Sequence, residues 1–377
     1  MMKSVKIRLL PTKEQEELMF KSIGCSRFAY NCALNRCIEL YKQGVKYNMS
    51  NIRKEFTQLK KQEEYKWLNE VSNTTMVESM RNLDKAFKSF FRKKSGYPKF
   101  KTKRKSKQSF YVRYDRLYFI NNFANIEKIG KVKYKTNYDI PQGKNICKFS
   151  NPYCSFDGKY WYLSFGFEVE ENQTTLNKDL SIGIDLGIKH LAVVNVLDKP
   201  IKNINKTKRV KRLKKRLKRL QRQVSRKYEA NKQGNKCVKT NNIIKLEKRI
   251  KLLHRKLSNI RNNHIHQATN KIIKLKPYRV VMEDLNIKGM IKNKHLSKAI
   301  QEQCFYEFIR QMKYKCEFNG IQFIQADRYF PSSKMCSCCG SIKKDLKLKD
   351  RVYKCDCGLE IDRDLNASIN LSNYGLA

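Results

Sequence analysis

Apolar positions recur at two different periods along the chain, and the change of period divides it. Over 13–46, Tyr30, Ala33, Leu34, Cys37, Ile38 and Tyr41 fall at helical spacing. Over 76–93, Met80, Leu83, Phe87 and Phe90 form one face while Lys85, Lys88 and Arg92 lie away from it. Both stretches read as helices. Gly96, Tyr97 and Pro98 then break the pattern, and a basic run follows over 99–107. From about 109 to 170 the period drops to two, irregularly at Phe110, Val112 and Tyr114 and regularly at Trp161, Leu163, Phe165, Phe167 and Val169. Asp157 and Gly158 mark a hairpin between strands at 150–156 and 160–169. This part reads as an antiparallel β module, a small barrel completed by a short N-terminal strand over 4–9. The polar stretch 171–179 reads as a linker.

Beyond it, a buried strand leads into Ile184-Asp185-Leu186-Gly187, and a second strand over 191–196 makes a tight hairpin with it. Residues 201–228 contain no acid. Within them Val210, Leu213, Leu217 and Leu220 share one helical face, and Lys208, Arg209, Arg212, Lys215, Arg216 and Arg219 are among the cations on the remainder. A second basic helix over 241–275 places Leu246, Ile250 and Leu253 similarly. A solvated helix normally mixes signs for support between adjacent turns, so the missing Glu argues for a hairpin that tracks phosphates over a merely solvated one. Another β-branched run, Val280-Val281-Met282, ends in Glu283, and Asp364 opens a last helical pattern. There is no internal repeat.

Composition narrows the class. The 377 residues allow two or three domains, and 40% apolar with 11% aromatic content is that of a folded protein. Against 82 Lys and Arg stand 34 Asp and Glu, a net charge of +48. Such a surplus repels itself unless a polyanion covers it, and nucleic acid fits better than a membrane surface because no lipidation signal is present and no basic helix has an apolar face strong enough to favour a membrane. A genome rich in A and T accounts for part of the Lys content but not its clustering. No secretory signal and no stretch of membrane-spanning length occurs, so a prokaryotic cytoplasmic protein, on the nucleoid when bound to DNA, is expected.

Five of the thirteen cysteines crowd into 336–357. Cys336 and Cys339 form a C-x2-C knuckle, Cys355 and Cys357 a C-x-C one, with Gly340 and Gly358 allowing tight turns. Four thiolates so spaced close a tetrahedral structural zinc site. Cys338 is a spare thiol able to compete with Cys339. The acids have bland readings singly: Asp185 as a turn residue, Glu283 as a partner of some Lys, Asp364 as a helix N-cap. As a set they describe one centre at the edge of a mixed sheet, holding two Mg2+ (or Mn2+) ions about 3.5–4 Å apart for phosphodiester hydrolysis.

With these motifs in their order, the sequence resembles the TnpB family of transposon-encoded nucleases, relatives of the compact type V CRISPR effectors. The resemblance runs nearly end to end. It includes 8–15, 97–101, the basic hairpin, 328–334 leading into the cysteines, and Asp362-Arg363-Asp364-Leu365-Asn366-Ala367. The shortened second knuckle, the extra Cys338 and the short C-terminus depart from the family pattern.

The resemblance implies an α+β multidomain protein. A β-barrel wedge domain would occupy 1–12 and 108–172, and a helical recognition domain 13–107. An RNase H-like (RuvC) mixed-sheet nuclease would occupy 180–330 and 359–377, including the basic helical hairpin 205–275, with a zinc finger inserted over 331–358. Asp185, Glu283 and Asp364 would be catalytic and bind Mg2+, and Cys336, Cys339, Cys355 and Cys357 would bind one Zn2+. The implied activity is RNA-guided cleavage of double-stranded DNA beside a short transposon-adjacent motif, by a monomer with one guide RNA from the transposon right end. Lys99, Lys101 and Arg328, with the hairpin cations, are the expected nucleic-acid contacts. A nuclease-inactive RNA-guided repressor, a strand-transfer transposase and a compact CRISPR effector are the alternatives.

Overall fold

The computed structural model describes residues 1–103, 105–144, 146–169, 175–234, 236–347 and 350–375. The chain divides into two compact units, Met1–Glu170 and Glu171–Ala377.

In the first unit, β1 (Met2–Leu10) leads into the long helix α1 (Lys13–Lys42). Thr12 and Gln15 close a capping box there, each side chain meeting the other's backbone N–H, at 3.3 and 3.1 Å. Next come α2 (Met49–Leu59), a 3-10 stretch at Glu63–Glu70 and α3 (Asn73–Phe91). The sequence reading missed α2, although Asn48 caps it and Ile52 and Phe56, one turn apart, bury its inner face. The strands β2 (Ser109–Tyr111), β3 (Tyr118–Ile120), β4 (Phe123–Ile126), β5 (Gly130–Lys135), β6 (Ser150–Phe156) and β7 (Trp161–Glu168) join β1 in a seven-stranded sheet ordered β2-β6-β7-β1-β5-β4-β3. The N-terminal strand is therefore central, paired antiparallel with both β5 and β7. Gly158, at φ +94°, supports the turn between β6 and β7. Met19 and Ile23 of α1 pack into the sheet's core, while Ala29, Ala33 and Leu34 of the same helix pack with Ile52, Phe56, Met80 and Leu83. One helix thus joins the sheet to the helical cluster.

In the second unit, β8 (Asn177–Leu186), β9 (His190–Val194) and β10 (Ile201–Lys202) precede the basic hairpin of α4 (Lys208–Ala230) and α5 (Asn241–Ile273). A minimal ribbon, β11 (Lys232–Gln233) with β12 (Lys236–Cys237), lies between the helices in sequence. There follow β13 (Pro277–Glu283), α6 (Ile287–Lys292), α7 (Ser297–Gln303), α8 (Phe305–Phe318), β14 (Gln322–Ala326), the pair β15 (Val352–Lys354) and β16 (Glu360–Asp362), and α9 (Arg363–Asn373). The main sheet runs β10-β9-β8-β13-β14, with β8, β13 and β14 parallel and β9 antiparallel to β8. Of the expected linker 171–179, residues 171–174 lie outside the described residues, 175 and 176 have no regular structure as expected, and 177–179 differ from expectation. Asn177 already begins β8, because pairing with Pro277 and the bond of its N–H to the Lys276 carbonyl (2.8 Å) extend the strand.

Alternation sorts the central strands onto two faces. Ile182, Ile184, Val280 and Met282 point into a core shared with Ile265 and Ile272 of α5 and Phe305, Phe308 and Met312 of α8. On the opposite face Val281 and Ala326 pack against Leu371 of α9. The sheet is covered by helices on both faces, as parallel strands require.

Candidate functional site: three rows beneath one helix

On the face toward α9, β8 carries Ser181, Gly183 and Asp185, and β13 carries Arg279, Val281 and Glu283. Their parallel register pairs Arg279 with Ser181 and Val281 with Gly183, and extends next to Glu283 beside Asp185. The strands therefore present three two-residue rows to the helix. In the first, the Ser181 hydroxyl donates to the Ser372 carbonyl (2.6 Å), and Arg279 donates to the Ser181 hydroxyl (2.8 Å) and to the same carbonyl (2.5 Å). The second row is flat. A Cβ on Gly183 would stand 1.9 Å from the Ser368 carbonyl oxygen and 2.4 Å from the Ser372 nitrogen, so α9 crosses β8 at a distance only glycine permits. The third row is the acids.

The first turn of α9 supplies the third carboxylate. Asp362 is the N-cap, its side chain accepting from the N–H groups of Asp364 (2.9 Å) and Leu365 (3.2 Å). The cap assigned to Asp364 by its bland reading thus belongs to Asp362, and Asp364 is left half-buried among the other acids. Burial first, and then the Glu283 and Asp364 carboxylates, push Asp185 well above the usual carboxylate range, against the pull of Arg363. Glu283 follows Asp185 in the extended strand register, and Asp364 is close enough to Asp185 to act on its charge. Arg363 lies 3.5 Å from Asp364, and the buried Ser332 hydroxyl hydrogen-bonds Glu283. Asp185 and Glu283 are inner-strand residues at strand ends, not edge-strand residues, because β9 and β14 flank β8 and β13.

The cysteines form a tighter group. The Sγ atoms of Cys336, Cys339, Cys355 and Cys357 all lie within 4.8 Å of one another, the one such cluster of potential metal ligands among the described residues. Gly340 and Gly358 turn the knuckles at φ +76° and +90°. Cys338 is exposed and outside the cluster, so the choice between it and Cys339 falls to Cys339. The Ser341 hydroxyl lowers the Cys339 thiol to about 6. For Cys357, a backbone N–H pulls the other way, but desolvation and the neighbouring sulfurs prevail and raise it to about 12. Four sulfurs this close suit a cation that would take all four as thiolates. The three carboxylates do not form a cluster of that tightness among the described residues.

Side chains the sequence reading passed over connect the two groups. Asn366 of α9 donates to the Met335 carbonyl (2.7 Å) and accepts from Ser337 N–H (3.0 Å), and Asn370 donates to the carbonyls of Ser332 and Met335 (both 2.7 Å). The signals were present: two Asn one turn apart in a buried helix, and a Gly inside a strand before an acid.

The expected nucleic-acid cations divide. Lys99, Lys208, Arg209, Arg212, Lys215, Arg216 and Arg219 are exposed. Lys101 is half-buried, with its ammonium 3.8 Å from the Tyr30 ring centre and its backbone tied to Asn31 (2.8 and 2.9 Å). Arg328 pairs with Asp284 at 2.5 Å, next to Glu283.

Comparison with known proteins identifies the lineage. The OrfB_IS605 family model, described as a probable transposase, matches 164–294. A helix-turn-helix model of the same family matches 1–46, and the Cas12f1-like TNB domain matches 305–371. A Streptomyces pristinaespiralis protein named "Putative RNA-guided DNA endonuclease" is 29% identical over 380 residues, covering 100% of this chain and 90% of its own. The chain belongs to the TnpB family. InsQ of Escherichia coli K12, of the same printed name, is 27% identical over 396 residues, covering 100% and 93%. The Cas12f1 chain of a cryo-EM Cas12f1–sgRNA–target DNA complex shares the fold, with TM-score 0.57 at 15% identity over 99% of each chain. The segment matched as helix-turn-helix folds here as one strand and one 30-residue helix. No helix among the described residues is long and apolar enough to cross a membrane.

Proposed function

We propose that the chain is an RNA-guided DNA endonuclease, as its relatives are named, and that Asp185, Glu283 and Asp364 are its catalytic acids. The observation that supports this reading is the third row: in a chain of net charge +48, acids on two adjacent parallel strands and at a helix start are gathered under α9, with Asp185 held above its usual range by burial first and by Glu283 and Asp364 second. Such a grouping gains most from divalent cations. Two of them, Mg2+ or Mn2+, would supply water activation and stabilisation of the leaving oxygen. The chain's own contribution is placement. Asp185 and Glu283 sit at neighbouring strand ends, Ser332 orients Glu283, and α9 brings Asp364 to them with the positive end of its dipole.

In this reading the second unit is a RuvC nuclease of RNase H-like fold, with 331–358 as its zinc finger held by Cys336, Cys339, Cys355 and Cys357. The seven-stranded sheet would serve as the wedge and the 13–107 helices as the recognition domain. The exposed cations of α4 would neutralise guide-RNA or target-DNA phosphates. Asp185→Ala and Glu283→Ala are each expected to abolish magnesium-dependent cleavage of matched DNA by the protein–RNA complex while leaving RNA affinity intact. Cleavage by either variant at the unmodified rate would refute the assignment.

A further inference from the structure

The first row beneath α9 lies far from the acids yet is built as strictly as they are. Arg279 is 4% exposed and, among the described residues, has no carboxylate among its hydrogen-bond partners. Its guanidinium instead meets the Ser372 carbonyl at the C-terminal end of α9, where the helix dipole is negative, with the Ser181 hydroxyl bonded to both. Burying an arginine to hold one carbonyl is more than cohesion of this small helix needs, since Val281 and Leu371 already pack beneath it.

Spacing supplies the reason. From Arg279 to Glu283 the strand advances about 13 Å at ~3.3 Å per residue. From Ser372 back to Asp364 the helix advances about 12 Å at 1.5 Å per residue. Strand and helix run in opposite directions, so fixing Ser372 on Arg279 sets Asp364 opposite Glu283. A slip of one residue would move the helix about 1.5 Å and turn Asp364 by roughly 100°. At Gly183 the helix meets bare backbone, and Val281 beside it offers only apolar contact with Leu371, which fixes register less sharply than hydrogen bonds do. The polar row is the stop.

We propose that Arg279 and Ser181 are positioning residues that set the axial register of α9, and through it the place of Asp364 among the acids. This rests on the reading of Asp185, Glu283 and Asp364 as a divalent-metal centre. The test uses the full-length, zinc-loaded chain and measures Mn2+ binding by electron paramagnetic resonance, with Asp185→Ala as the baseline. The magnesium dependence of single-turnover cleavage by the RNA complex is measured in parallel. Ser181→Ala and Arg279→Met are expected to weaken Mn2+ binding about 10-fold or more. They should raise the magnesium midpoint with it, with RNA affinity unchanged, and Arg279→Lys should restore part of the loss. A merely structural role would lower the unfolding temperature without moving the metal midpoint of folded molecules. Unmodified Mn2+ affinity in folded Ser181→Ala overturns the proposal, and that variant decides the matter if Arg279→Met does not fold. An unmodified chain that binds Mn2+ no better than Asp185→Ala overturns the metal-centre reading itself.

Discussion

Gly183→Ala is the smallest change that tests whether the approach of α9 governs the acids. The added methyl would stand 1.9 Å from the Ser368 carbonyl oxygen, 2.4 Å from the Ser372 nitrogen and 3.0 Å from the Leu371 Cβ. Two of these atoms are helix backbone, which cannot rotate aside as a side-chain tip can. Restoring ordinary packing distance, near 3.5 Å, requires the α9 backbone at Ser368 to retreat by roughly 1.6 Å or more. Overpacking of this kind costs about 1–3 kcal/mol. The functional cost is separable from it, because the retreating helix carries Asp364. A misplacement of about 1 Å at a reacting centre costs on the order of 100-fold in rate. The assay is single-turnover cleavage by the RNA complex at saturating magnesium, normalised to folded protein by the amplitude of thermal unfolding. A 30- to 300-fold slower rate with unchanged RNA affinity is expected, at about that order of magnitude. Folded Gly183→Ala cutting within a few-fold of the unmodified rate would show that the helix's closeness is incidental to catalysis.

Other consequences follow from the same geometry. Asp185 is raised above its unfolded value, so its protonated form is favoured in the folded chain, and stability is lost as pH rises from the unfolded value through the folded one. Asp185→Asn should therefore raise the unfolding temperature in magnesium-free buffer near neutral pH, with the gain shrinking as pH is lowered, and a lower or equal temperature would contradict this. Cys338→Ser should keep one zinc per chain by elemental analysis, whereas Cys355→Ser should lose it and destabilise the finger; equal zinc content in the two would show the wrong ligands were named. Reversing Lys215 and Arg219 to Glu on the exposed face of α4 should weaken RNA or DNA binding and flatten its salt dependence, the slope falling by about 1 for each phosphate left without its cation. An unchanged salt slope would return α4 to the role of a solvated hairpin.

What could be read beforehand was what local periodicity encodes. The long helix over 13–46, the hairpin at Asp157 and Gly158, the two basic helices and the strand-borne acids are all periodic patterns or turn chemistry, and each has its counterpart in the structure. The parallel register was out of reach, because β8 and β13 are separated by β9, β10 and a helical hairpin, and nothing local specifies which residues become neighbours. For the same reason Ser181 and Arg279 passed as an ordinary serine and one more cation. Side-chain engagement was also hidden. Lys101 reads as part of a basic run, but its stem and charge lie over Tyr30, and Arg328 answers to Asp284. Of the two acids in Asp362-Arg363-Asp364, the resemblance implies Asp364, and the cap geometry distinguishes them: the Asp362 carboxylate accepts from two backbone N–H groups at the helix start.

The position of the cysteine knuckles acquires a purpose in this frame. They are inserted between β14 and α9, the strand beside Glu283 and the helix bearing Asp364. Asn366 and Asn370 fasten the segment leading into Cys336 to the buried face of α9, and Ser332 in that segment reaches Glu283. A helix of 11 residues is too short to hold itself in place by propensity. Here its C-terminal end is tied by Arg279 and its first two turns by the knuckle loop, with Gly183 letting it lie flat between them. A metal that orders four sulfurs outside the sheet would thereby stiffen the loop that orients one acid and steadies the helix carrying another. Such coupling would be mechanical and would run through two asparagines and one serine. Losing the knuckle metal should for that reason loosen the acid centre before it unfolds the sheet.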